Sequence, residues 1–263
     1  MELVAGKKRL YQSSSHLYLA CDPRLQPYIA HYTICFPQQM APVLLLVPDV
    51  SGCIVMKEEA SLFQSSFWGA TTTCVQVGEK PSAKPLYFVE FRPVGAYAFF
   101  QCPQHELQDK RIALEQLDQT MARQLETIYY HSKTVEEWVQ NMDAIFLTRV
   151  IHDSLFTRNI VSHIAQGKAL QDIFSAIGYS QRHTQRIVKE QLGCSMKTIQ
   201  KIQRINKAVK LIQQKQYSLT KIATLCGYFD QAHFIHDFQT VCSRTPGQYQ
   251  KELALFYNEA FKF

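Results

Sequence analysis

The sequence predicts an α+β protein. An N-terminal antiparallel β barrel or sandwich leads into a helical hairpin, and an all-α domain follows. Three observations predict this. Short runs rich in β-branched and aromatic residues crowd residues 10–105. From residue 112 onward apolar side chains recur at helical spacing. A helix interrupted by Gly-Tyr occurs twice in the last third, beginning at Ala169 and again at Leu219.

The chain has 263 residues, 46% hydrophobic and 19% charged, enough for two domains with packed cores and unlike a disordered chain. No apolar run approaches the roughly 20 residues that cross a bilayer, so no membrane partner is expected. The Ala41–Pro48 run is short, bracketed by prolines, and reads as a buried strand. The N-terminus, Met1-Glu-Leu-Val-Ala-Gly-Lys-Lys-Arg, lacks the apolar core and cleavage site of a secretory signal, so a cytoplasmic location is expected. Eight cysteines are scattered without CxxC or CxxxC spacing, which favours small buried hydrophobes over metal ligands or staples. Charge divides unevenly. Residues 1–150 carry 13 Lys and Arg against 15 Asp and Glu, a balance of −2, whereas residues 151–263 carry 15 against 7, a balance of +8. A basic back half is what a domain meeting a polyanion shows.

The candidate strands, in order, are His16-Leu-Tyr-Leu-Ala, Val43-Leu-Leu-Leu-Val, Cys53-Ile-Val-Met, Thr72-Thr-Cys-Val-Gln-Val and Leu86-Tyr-Phe-Val-Glu-Phe. Ile112, Leu114, Leu117, Met121, Leu125 and Ile128 then mark one helix. Thr134-Val-Glu-Glu137 starts a second as a capping box, continuing through Trp138, Met142, Ile145 and Phe146. The expected organisation is a β-rich sensor domain over 1–110, a helical hairpin over 111–150, and a helical domain over 151–263. The hairpin's apolar stripes must face the barrel or a second copy. A homodimer through them is the expectation.

In the repeat, each short helix ends at Gly178-Tyr179 or Gly227-Tyr228. A polar N-cap follows, Ser180 or Asp230, and then a second helix. That is a helix-turn-helix plan, twice. At 100° per residue, Arg182, Gln185, Arg186 and Lys189 share one arc of the Gln181–Leu192 helix, opposite Thr184, Ile187, Val188 and Gln191. Arg forks onto guanine edges and Gln onto adenine edges, so this arc is a candidate base-reading face of double-stranded DNA. In the second unit Phe234, Phe238 and Val241 face inward, while Gln231, Ala232, His236 and Gln239 face outward. His236 there adds a cation when protonated. Met196–Gln213 forms one linker helix with Lys197, Lys201 and Arg204 on one side as candidate phosphate contacts. Eighteen residues rise roughly 27 Å, close to the roughly 34 Å between successive major-groove positions.

The segment Gly227-Tyr-Phe-Asp-Gln-Ala-His-Phe-Ile-His-Asp-Phe-Gln-Thr-Val-Cys-Ser-Arg-Thr-Pro-Gly-Gln-Tyr249 closely resembles the signature of AraC/XylS-family transcriptional regulators. Upstream, Gly178-Tyr179-Ser180, Gln185-Arg186 and Gly193 resemble the family's first unit, so the likeness covers residues 157–250. It departs at Val188, where the family has Phe, and at Cys242-Ser243, where it has a Gly-containing turn. It departs again at Ile235-His236, where small polar and Arg residues are frequent. Leu46-Val-Pro-Asp49 and Val89-Glu-Phe-Arg-Pro-Val-Gly95 are similar to segments of barrel-like sensor domains in some members. The resemblance implies DNA and RNA polymerase as partners, no cofactor, no catalytic or metal site, and a small-molecule effector or a regulatory protein as input.

Rival classes find little support. A cupin metal enzyme needs a His-x-His pair, and the front half offers only His16, His31, His105 and His131. His233 and His236 form an HxxH pair beside Asp237, read as DNA-facing or turn-stabilising rather than as a zinc site. A methyl-accepting repair protein needs clustered cysteines, a receiver needs an α/β acidic pocket, and no GxSxG elbow marks a hydrolase. Phe63, Phe67, Trp68, Tyr87 and Phe88 are candidates to line an effector pocket, against the plainer reading as core.

Overall fold

β-Branched and aromatic residues at alternating positions need one face covered, and the fold shows what covers it. A computed structural model describes residues 9–36, 44–77, 84–149, 155–252 and 256–257. Seven strands form one antiparallel sheet: β1 (Arg9–Gln12), β2 (His16–Leu19), β3 (Ile29–Cys35), β5 (Cys53–Glu59), β6 (Leu62–Trp68), β8 (Leu86–Phe91) and β9 (Arg111–Ala113). Their spatial order is β1-β2-β3-β8-β5-β6-β9. The antiparallel N-terminal sheet is therefore present, but it does not close: β1 and β9 are opposite edges. Helices cover its apolar face, so the sheet has no need to cover itself.

Those helices are α1 (Gly95–Phe100), α2 (Leu114–Leu117), α3 (Gln119–His131) and α4 (Val135–Leu147). The single helix expected from Ile112 is broken. Residues 111–113 join the sheet, and Asp118, extended at φ −155°, interrupts the chain and caps α3 by accepting from the Met121 N–H at 2.8 Å. Half of the capping box expected at α4 forms, with Thr134 Oγ1 accepting from the Glu137 N–H at 3.1 Å, while the reciprocal bond shifts to the residue before the cap. The Glu137 carboxylate reaches back to the Lys133 N–H at 2.8 Å. Met121 and Leu125 of α3, with Trp138, Met142 and Phe146 of α4, pack onto Tyr32, Phe67 and Phe91 of the sheet in one core. Buried Asp143 on α4 ties helix to sheet, accepting from Tyr32 Oη and from the Asp22 N–H, each at 3.0 Å. The stripes expected to pair two copies are thus buried within one copy. Tyr130 is the exposed large apolar side chain among the hairpin's described residues.

The C-terminal domain is helical: α5 (Leu155–Ala165), α6 (Leu170–Ile177), α7 (Gln181–Leu192), α8 (Met196–Gln214), α9 (Leu219–Leu225), α10 (Gln231–Cys242) and α11 (Pro246–Lys251). The apolar stripe of α8 belongs to two cores. Ile199 and Ile202 meet Ile160, Ile173, Val188 and Leu192, while Ile205, Val209 and Ile212 meet Ile222, Phe234, Phe238 and Tyr249. One helix therefore links the cores of the two units.

The expected division near residue 150 lies outside the described residues, and elsewhere the two parts interlock. β4 (Leu44–Leu46) and β7 (Val75–Val77) leave the main sheet and pair antiparallel, and β10 (Phe256–Tyr257) joins β4 in parallel. Leu45 enters the core of the second helical unit, while Val50 and Val94 enter that of the first. The Asn206 side chain on α8 donates to Pro48 O at 3.1 Å, and the Cys74 N–H donates to Val241 O at 2.7 Å. At Gly193, with φ +84°, an added Cβ would stand 3.0 Å from Gln104 O. A side chain there would meet both a left-handed backbone and the 3-10 turn Gln104–Glu106 docked against it.

Candidate nucleic-acid interface

Each helical unit folds as its caps dictate. In the first, Gly178 closes α6 in the left-handed region at φ +72°, and Ser180 caps α7 by accepting from the His183 N–H at 3.3 Å. In the second, Gly227 at φ +78° and Asp230, accepting from the His233 N–H at 2.7 Å, repeat the arrangement before α10. Both turns carry an exposed ring, Tyr179 and Phe229, and Phe229 is 100% exposed. Tyr179 stacks on His183 with ring centres 5.3 Å apart.

Helix α7 divides cleanly. Thr184, Val188 and Leu192 are buried against α5, α6 and α8. Arg182, Gln185, Arg186 and Lys189 are all exposed on the other side. Of these, Arg186 has an i,i+4 neighbour in Glu190 at 3.4 Å, a loose surface pair of small energetic weight. Two guanidiniums, an ammonium and a carboxamide therefore project together from the second helix of the unit.

Helix α10 buries Phe234, Phe238, Val241 and Cys242 and exposes Gln231, Ala232, His236 and Gln239. Its electrostatics differ. Asp237, 5% exposed, draws Lys201 Nζ to 3.1 Å and Arg204 Nη2 to 3.8 Å across from α8. The Tyr228 hydroxyl donates to the same carboxylate at 3.3 Å, and the Arg204 guanidinium lies 4.7 Å from the Tyr228 ring centre. His233 Nε2 and His236 Nδ1 lie 3.5 Å and 3.9 Å from Asp237.

Lys201 and Arg204, expected to face phosphates, are partly exposed and lie against the Asp237 carboxylate. A nearly buried carboxylate is costly without cations beside it, and these two are the cations that α8 supplies. They clamp α8 to α10. Lys197, one turn earlier, is exposed as expected. Lys207, not singled out by the sequence, donates to Leu225 O at 2.7 Å and closes the end of α9. Asp237, noted in the sequence only beside His233 and His236, stands three residues after Phe234 and one before Phe238, which places it beside the buried stripe.

Among the described residues, no group of three or more His, Cys, Asp or Glu side chains is placed to hold a metal ion. No helix there is long and apolar enough to cross a membrane. The aromatic residues considered for an effector pocket are largely committed to packing: Phe67 and Tyr87 are buried, Phe63 packs on Tyr129, and Trp68 lies under Arg111.

Two helix-turn-helix units on one strut, with the cationic arc of α7 exposed, define a DNA-binding transcription regulator. Comparison with known proteins agrees. A family model described as a helix-turn-helix domain matches residues 173–252. The chain is 31% identical over 86 residues to the probable transcription factor PqrA of Proteus vulgaris, covering 33% of this chain and 70% of that one. It is 32% identical over 74 residues to the HTH-type transcriptional regulator GlxA of Rhizobium meliloti, covering 28% of this chain and 23% of that protein. The chain belongs to the AraC/XylS family of transcriptional regulators. Among solved structures, ToxT of Vibrio cholerae aligns over 87% of this chain and 94% of its own, at 11% identity and a TM-score of 0.42.

Proposed function

We propose that this protein binds specific DNA sequences in the cytoplasm mainly through its first helix-turn-helix unit, and that its N-terminal domain adjusts that binding in response to a small molecule. The observation that carries the reading is the arc of α7: Arg182, Gln185, Arg186 and Lys189 are exposed together while the opposite face is buried. Gln231, Ala232, His236 and Gln239 of α10 form the second, weaker reading face. Lys197 contributes a phosphate contact. The division into residues 1–110, 111–150 and 151–263 as sensor, hairpin and DNA-binding parts belongs to the same proposal.

The input side is supported by contact. Leu45, Val50 and Val94 of the N-terminal part enter both helical cores, so a change there reaches both units. RNA polymerase is the further macromolecular partner. Any assembly of two copies on DNA uses surface other than the buried stripes of α3 and α4.

The test is DNA selection from a random library by the full chain, followed by affinity measurements across salt concentration. Affinity should fall steeply with salt, because phosphate contacts release counterions. Binding that is absent, or indifferent to both salt and sequence, overturns the reading. Calorimetric titration with metabolite mixtures tests the input. Burial of an apolar effector gives a negative heat-capacity change, and a shift in DNA affinity only on adding a protein fraction would favour a protein input instead.

A further inference from the structure

Cys74 and Cys242 lie in different parts of the chain, yet the fold sets them side by side at the junction of the two. Cys74 leads into β7, and its N–H donates to Val241 O at 2.7 Å. Cys242 ends α10 and enters the apolar core of the second unit, and Cys74 packs against that same core. A backbone hydrogen bond from Cys74 to the residue next to Cys242 brings the two Cα atoms close to the roughly 4.4–6.8 Å that a disulfide spans. The pair is asymmetric: Cys74 is half-buried, whereas Cys242 is buried.

We propose that a hydroperoxide oxidant, hydrogen peroxide in the simplest case, joins Cys74 to Cys242 in a reversible disulfide that fastens the β4–β7 hairpin to the second helix-turn-helix unit. The more accessible Cys74 reacts first, as its thiolate. Its sulfur attacks one peroxide oxygen, an S–O bond forms, the O–O bond breaks, and the departing hydroxide takes up a proton as water. Cys74 is then a sulfenic acid. The Cys242 sulfur attacks the Cys74 sulfur, an S–S bond forms, the S–O bond breaks, and the leaving hydroxide carries off the Cys242 proton as a second water. Two thiols lose two electrons, and one peroxide is reduced to two waters.

The asymmetry suits this order. Contact with Cys74, together with burial, raises the Cys242 thiol well above the ordinary range, so the buried Cys242 is not the thiol that meets the oxidant first. Burial pushes Cys21, Cys35 and Cys194 up to about 12, removing them as competing thiolates.

The consequence for DNA rests on the regulator reading above. Gln231, Ala232, His236 and Gln239 stay exposed beside this junction, so the bond leaves the groove face open. It restrains the second unit against the N-terminal domain, whose 3-10 turn already docks on the first unit. An oxidised protein holds its two units at one fixed spacing.

The experiment treats the full chain with hydrogen peroxide, alkylates remaining thiols under denaturing conditions, and maps peptides by mass. The expected result is one linked pair containing Cys74 and Cys242, returned to free thiols by dithiothreitol. Cys242→Ser should accumulate a dimedone-reactive sulfenic acid on Cys74, and Cys74→Ser should leave Cys242 reduced. If Cys242→Ser fails to fold, Cys74→Ser at the half-buried position carries the comparison. Linkage of Cys74 to another cysteine, or oxidation elsewhere with this pair left reduced, overturns the proposal. On library-selected DNA, one inserted base pair between the contacts of the two units should weaken the oxidised form several-fold more than the reduced form. Equal losses overturn the fixed-spacing consequence. Absence of DNA binding in both states would refute the regulator reading, while the peptide map still judges the disulfide.

Discussion

The two helix-turn-helix units share a plan and differ in what their charges do. In the first, Arg182, Arg186 and Lys189 stand exposed on α7. In the second, α10 carries no Arg or Lys. Its buried Asp237 instead draws in Lys201 and Arg204, cations of the strut. The same motif thus leaves its cations exposed in one unit and draws in the strut's cations in the other.

Replacing Asp237 should have the largest effect. Asp237→Ala leaves Lys201 and Arg204 beside Tyr228 and α10 without their carboxylate. A loss of roughly 2–3 kcal/mol in unfolding free energy is expected, at or below the low end of the roughly 3–5 kcal/mol for a broken buried pair, because both cations are partly exposed. Urea titration of the full chain measures it, and a loss below about 1 kcal/mol would show that Asp237 does not clamp the units.

The exposed arc of α7 comes next. Arg186→Ala should relax base preference in one half of the site by roughly 1–3 kcal/mol, and His236→Ala should do less in the other half. A base-by-base affinity scan separates them. A greater loss of specificity from His236→Ala reverses the ranking of the units.

A finer contrast pits Lys189 against Lys201. Lys189→Ala should flatten the dependence of log affinity on log salt by about one unit, whereas Lys201→Ala should leave that slope unchanged and lower the denaturation midpoint instead. Equal changes in slope would return Lys201 to the phosphate face.

The smallest effect concerns the turn after α10. Ser243 stands there at φ +53°, a conformation that disfavours a side chain. Ser243→Gly should stabilise the second unit by about 0.5 kcal/mol, visible as a small rise in melting temperature with DNA affinity unchanged. A fall in stability would mean that the serine side chain compensates for its backbone.

The helical domain was legible because its signals are local. Gly-Tyr followed by Ser180 or Asp230 marks each turn, and the apolar spacing of Ile199 through Ile212 marks the strut. The sheet was harder. β1, β3 and β6 escaped the strand reading, β6 because Gln64, Ser65 and Ser66 dilute its pattern. An open sheet under two helices and a closed barrel differ in long-range pairing, which strand composition does not encode.

The sequence by itself determined two helix-turn-helix units, their caps, and the arc of α7, since helical periodicity and capping act over a few residues. Tertiary structure alone decided three further things. It buried the hairpin stripes of α3 and α4 against the sheet. It turned Lys201 and Arg204 onto Asp237. It carried β4 and β7 out of the main sheet, bringing Cys74 against the end of α10. Each depends on which surfaces meet across long stretches of chain, and a residue's helical angle fixes its direction but not the neighbour it finds there.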